Sequence, residues 1–256
     1  MTRQSSWPFL PLALSTLATL LTAAPGHTAI VRITEANFTA QAGKITFSEQ
    51  PVGTINPHYV PGDYGGSATA PSVDFAGFFT GQTLGTAATC PTGAAVTGCV
   101  NGLPTGTLSL DGNSPSTSIV TDTSNPTSPV LSGSPTFNGP ISVLFSVDQV
   151  GVGLDGGFFD AIGGTAITAF SRDGSVLGSV MNTQQGIEFL GLATDDGVAR
   201  IAGLQFSLVG DEPSGFGIDN LRFGSAGQVI VPEPEAVIFI LLGFAPLLLF
   251  RTARRG

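Results

Sequence analysis

From Ile141 onward, short apolar runs follow one another with no amphipathic helix between them, and each is cut off by glycine, proline or an Asp-Gly pair. This pattern argues against helical and α/β folds, because a surface helix needs apolar positions three and four apart over ten or more residues. Ile141, Val143, Phe145 and Val147 alternate with Ser142, Leu144, Ser146 and Asp148, which predicts a strand with one face in the core. Gly151–Phe159 reads as an apolar strand interrupted at Gly156-Gly157, a signal of a bulge or of a close backbone approach. Segments 166–170 and 176–180 flank Asp173-Gly174, a strong hairpin signal, and Asp195-Asp196-Gly197 makes a second such turn between 187–192 and 198–208. The expected fold is therefore all-β, an antiparallel β-sandwich. The 35 glycines, 18 prolines and low charged content of 11% suit its many turns.

Strict alternation in the closing stretch puts Phe216 and Ile218 on one face and Leu221 and Phe223 on the other. A bulge near Asp219-Asn220 is needed for all four to share the core. Earlier in the chain, Ile33, Ile45 and Phe47 suit edge strands, and 105–136 offers only short apolar pairs between polar loops. Residues 51–66 form a long loop rich in Pro and Gly that carries His58, Tyr59, Asp63 and Tyr64. Such loops are where ligands usually meet a β scaffold, so these four are candidate ligand residues; the plainer reading is aromatic rings tucked against the sandwich. Cys90 and Cys99 close a small loop and are the only cysteines, which in an exported chain reads as one disulfide.

Both ends look like addresses rather than parts of a fold. Residues 1–29 have a basic start at Arg3, an apolar run over 9–21 and small residues at Ala23, Ala24 and Gly26, the pattern of a secretory signal. The segment 230–256 contains Pro232-Glu233-Pro234, an apolar run over 236–250, and then Arg251, Arg254 and Arg255. The prolines leave an extended handle. As a helix the run spans about 22 Å, so snorkelling arginines and residues from Val229 onward must help it cross a ~30 Å hydrocarbon core. The terminal arginines keep the C-terminus in the cytoplasm and the body, residues 30–229, outside. A plain anchor or a buried helix is the other reading of such a run, but a core helix would not be bracketed by Pro-x-Pro and three arginines.

Together these residues resemble the PEP-CTERM sorting signal of Gram-negative bacteria. The resemblance implies recognition by a membrane protease of the exosortase type, passage through the inner membrane, and a destination at the cell surface or in an extracellular matrix associated with exopolysaccharide. The segment Leu154 to Phe159 with the ending Ile218-Asp219-Asn220 is similar to the body of other proteins with this tail. The ending also resembles the closing strand of jelly-roll modules of carbohydrate-binding type. That likeness implies a jelly-roll-like sandwich and makes Asp219 the candidate ligand of a structural calcium; the alternative is an Asx residue hydrogen-bonding its own bulge.

Without the terminal segments, 16 acidic residues face 5 basic ones, a net charge of about −11. Nucleic acid is therefore not an expected partner, since phosphate binding needs clustered Lys and Arg. Outside the signal segment His58 is the sole histidine, and neither His-Glu-x-x-His, Gly-x-Ser-x-Gly nor a phosphate-binding loop occurs. No cofactor is implied and no catalysis is expected, although a carboxylate pair for glycoside hydrolysis stays open. The expectation is an exported, structural or interacting protein of the envelope or exopolysaccharide matrix. The alternative is a carbohydrate-binding module, with or without calcium.

Overall fold

The structure, a computed structural model, describes residues 30–123 and 128–232. The signal segment, the tail from Glu233 onward and the two helices expected there lie outside the described residues. Among the described residues no helix is long and apolar enough to cross a membrane. What helix they contain is two 3-10 turns, Glu35–Asn37 and Val96–Gly98.

The strands are β1 (Ile30–Ile33), β2 (Gly43–Ile45), β3 (His58–Tyr59), β4 (Val73–Ala76), β5 (Thr83–Leu84), β6 (Val100–Asn101), β7 (Ser118–Val120) and β8 (Val130–Ser132). They continue with β9 (Ile141–Gln149), β10 (Gly151–Phe159), β11 (Thr165–Phe170), β12 (Val176–Met181), β13 (Gly186–Thr194), β14 (Ile201–Leu208) and β15 (Gly217–Gly224). One sheet runs β1-β13-β10-β15-β8-β7, with β2 also paired to β15; the other runs β12-β11-β14-β9-β4-β3. The pairings within both sheets are antiparallel. Val152, Leu154, Leu190 and Leu192 of the first sheet join Phe75, Val143, Ile167 and Phe206 of the second in one buried cluster. The fold is all-β, and two sheets sharing a core are consistent with a β-sandwich.

Local signals act where expected. β11 and β12 form the hairpin, closed by Ser171 N–H donating to Ser175 O, with Gly174 at φ +85°. The ladder between β10 and β13 slips between Gly156 and Phe159. In β15 the bulge falls at Asn220 (φ +49°): Gly153 pairs Arg222 but Asp155 pairs Asp219, so two residues face one. Phe216, Ile218, Leu221 and Phe223 all enter the core as a result.

Two expectations need correction. Val147 is 49% exposed although alternation placed it inside. Between the pairs Leu144–Gly203 and Gln149–Ile201 the β9 strand carries three more residues than β14, and this slip turns Val147 outward. The turn at Asp195-Asp196-Gly197 joins strands of different sheets, so it is a corner and not a hairpin. Thr194 N–H donates to Val150 O while Arg200 N–H donates to Gln149 O, which ties this corner to the neighbouring one between β9 and β10.

The two ends of the body meet. Val31 and Val231 pack on the same small cluster of Ile33, Val150, Ala193 and Val229. Ile230 N–H donates to Asn37 O at 2.8 Å and Asn37 Nδ2 donates back to Ile230 O at 2.7 Å, just before Pro232.

Candidate functional site

The long loop does not gather its four residues into one site. Tyr59 is 0% exposed; its ring packs edge-on against Phe47 and Phe75 at 6.2 and 6.0 Å, and burial pushes its phenol well above the usual range. A ring held in the core offers no platform to a ligand. Tyr64 is half-buried: it packs edge-on against Phe223 at 5.2 Å and donates to Pro71 O, and burial pushes its phenol up to about 12. Asp63 accepts from Val60 N–H at 2.8 Å while its own N–H donates to Val60 O, which closes the turn between them, and His58 Nδ1 lies 2.6 Å from Asp74 Oδ1 on the surface. Tyr64 alone of the four lines a cleft of about 790 Å³, opposite Lys44 and Gln228.

Cys90 and Cys99 are paired as a possible disulfide, Cα to Cα 5.9 Å, on the loop that ends in the Val96–Gly98 turn. Pro232 is the last described residue of the expected Pro-Glu-Pro handle; Glu233, Pro234 and the arginines at 251, 254 and 255 lie outside the described residues.

Asp219 is 3% exposed and its Oδ1 accepts its own bulge's Asn220 N–H at 2.6 Å. It lines a small cavity of about 160 Å³ with Asp122 and Asp155. Asp155 accepts from Asn220 Nδ2 at 2.8 Å, and burial raises its pKa despite that bond and the nearby Arg222 and Lys44. Among the described residues no group of three or more acidic, His or Cys side chains could hold a metal ion. The local geometry of Asp219 is that of an Asx residue closing a bulge.

The outer face of the first sheet is more distinctive. Pairing registers set one row across five strands: Ile33, Gly191, Gly153, Arg222, Lys44. The ring of Phe189 lies over its two glycines, where a Cβ on Gly191 would come within 2.6 Å of Phe189 Cε1 and one on Gly153 within 3.0 Å. Two bare backbones thus make a step that seats an aromatic ring on a sheet. Phe38 meets that ring edge-on at 6.2 Å. Arg222 and Lys44 stand directly opposite each other, and cross-strand partners share a face. Arg222 also pairs with Glu35, yet its buried Nε lacks an acceptor among the described residues. Phe189, Arg222 and Glu35 line a cleft of about 830 Å³ together with Arg32, which is bonded to Glu188 at 3.3 Å.

Sequence reasoning passed over Phe189, Arg222 and Lys44. The available signals were two glycines inside otherwise apolar strands and the chain's single lysine. Their juxtaposition, however, depends on the order of β13, β10, β15 and β2, which no local pattern discloses. Comparison of the chain with protein-family models, curated proteins and solved structures gave no match.

Proposed function

We propose that the protein is an exported component of the cell envelope or exopolysaccharide matrix of a Gram-negative bacterium, sorted through its C-terminal tail by an exosortase-type membrane protease, with a structural or interaction role and no evident catalysis. The carrying observation is the position of the Pro232-Glu233-Pro234 handle. It begins two residues after the Ile230–Asn37 bonds close the body, and the apolar run and terminal arginines follow it. Pro232, where the handle begins, is exposed. Connections from β9 to β10, β10 to β11, β12 to β13, β13 to β14 and β14 to β15 each cross between the sheets, which supports the finer reading of a jelly-roll-like sandwich. Fractionation of native cells with mass measurement of the mature protein tests the proposal. The expected product lacks 1–29 and the tail, and P232A/P234A leaves the tail attached. An uncut chain in the cytosol refutes it.

Carbohydrate binding is the second reading, favoured by the Phe189 ring seated on the sheet beside hydrogen-bonding side chains. In it the sheet face, rather than Tyr59, supplies the platform.

A further inference from the structure

We infer that the outer face of the first sheet, between the Phe189 ring and the Arg222–Lys44 pair, binds a carboxylate-bearing sugar, a uronate residue of an acidic polysaccharide. This rests on the carbohydrate-binding reading and names its ligand class.

The charge distribution is the first argument. The body carries 16 acidic residues and 5 basic ones, yet two of those five, Lys44 and Arg222, stand side by side on this face. Arg172 and Arg200 are engaged elsewhere, with Asp148 and Asp196. Two cations directly opposite across a ladder repel each other, and an acidic chain has little general need for such a pair. A ligand carboxylate between them offsets that repulsion.

The ring is the second argument. A flat aromatic surface on a sheet packs the C–H face of a pyranose, and Phe189 lies one residue pair from the cations: it pairs Asp155, while Gly153 two residues before pairs Arg222. Glu35 and Asp155 flank the cations, and both contribute to the local field. Carboxylates repel a bare anion such as phosphate but accept from hydroxyls. Alternating signs beside a ring therefore suit a ligand that carries both a carboxylate and hydroxyl groups.

Titration calorimetry of the purified full chain in detergent with tetragalacturonate, and with its methyl ester as the uncharged twin, tests the inference. The acid form is expected to bind at least tenfold tighter than the ester. Arg222→Gln should remove that preference, and Phe189→Ala should weaken both ligands. Glu35→Gln changes a residue whose side chain is 57% exposed, so folding is not at risk; by freeing Arg222 it should tighten the acid form several-fold relative to the ester. Equal affinity for acid and ester, no binding of the acid by the wild type, or indifference to Glu35→Gln each overturn the inference. Such a failure leaves the sorting proposal standing, because fractionation and processing are read independently. Binding by a protein found uncut in the cytosol would do the reverse.

Discussion

Replacing Gly153 with alanine should displace the aromatic ring from the sheet, at a cost that the structure bounds. A Cβ there would press into Phe189 Cζ, lie 3.0 Å from Cε1 and come within 3.1 Å of Gly191 Cα, so the ring must tilt or the strands must part. Inserting a methyl group into a filled site costs about 1–3 kcal/mol. For a body of this size about 1 kcal/mol corresponds to roughly 2–4 °C, so scanning calorimetry should show Tm falling by about 2–12 °C. Gly112 is the control: nothing lies within 4 Å of its added Cβ, so Gly112→Ala should be neutral or slightly stabilising. The deciding measurement is a double-mutant cycle with Phe189→Ala. If the ring is the obstacle, most of the Gly153→Ala penalty vanishes once the ring is gone, leaving only the tight approach to Gly191. An equal penalty in both backgrounds would show that the strands, and not the ring, set the constraint.

Glu212 is 0% exposed and accepts from Asp160 and Ala161 N–H groups, with burial raising its pKa. Between the ordinary glutamate value and the raised folded one, the folded state binds more of this proton than the unfolded chain does, so this group's contribution is full below the ordinary value and is lost as pH rises through the folded one. Glu212→Gln should flatten that decline and raise Tm at neutral pH relative to the wild type; a parallel pH profile would refute it. The Tyr59 hydroxyl is buried with no acceptor among the described residues, and an unmet hydroxyl costs about 1–3 kcal/mol, so Tyr59→Phe should raise Tm by at least about 2 °C. A fall would reveal an acceptor. Cys90→Ser with Cys99→Ser should cost about 2–3 kcal/mol, and alkylation with mass measurement should find no free thiol in the native chain.

What the sequence disclosed was local. The Asp173-Gly174 hairpin, the Gly156-Gly157 irregularity and the bulge at Asn220 each follow from a few residues whose backbone needs or side-chain alternation permit one solution. What it concealed was the assignment of strands to sheets. Asp195-Asp196-Gly197 carries a hairpin's residues but turns a corner, because β13 and β14 find partners far away in the chain. Val147 leaves the core because β9 slips against β14, a feature of the pair that neither strand's own sequence contains. Tyr59 sits among the loop's polar residues in sequence, yet pairing of β3 with β4 carries it under the sheet toward Phe75. The cation pair of the candidate face is likewise a product of β2 joining β15 from a distance of more than a hundred and seventy residues.

The last of the described strands, β15, lies between β10 and β8 and also carries β2. Phe216, Ile218, Leu221 and Phe223 from this one stretch fill the middle of the shared interior. A nascent chain lacking it has an unfilled gap at its centre, and long-range β pairing is slow in any case. Completion must therefore await Gly224, only eight residues before Pro232. If the proposed export holds, the polypeptide would stay threadable at least until Gly224 had been made, since its keystone is not delivered before then.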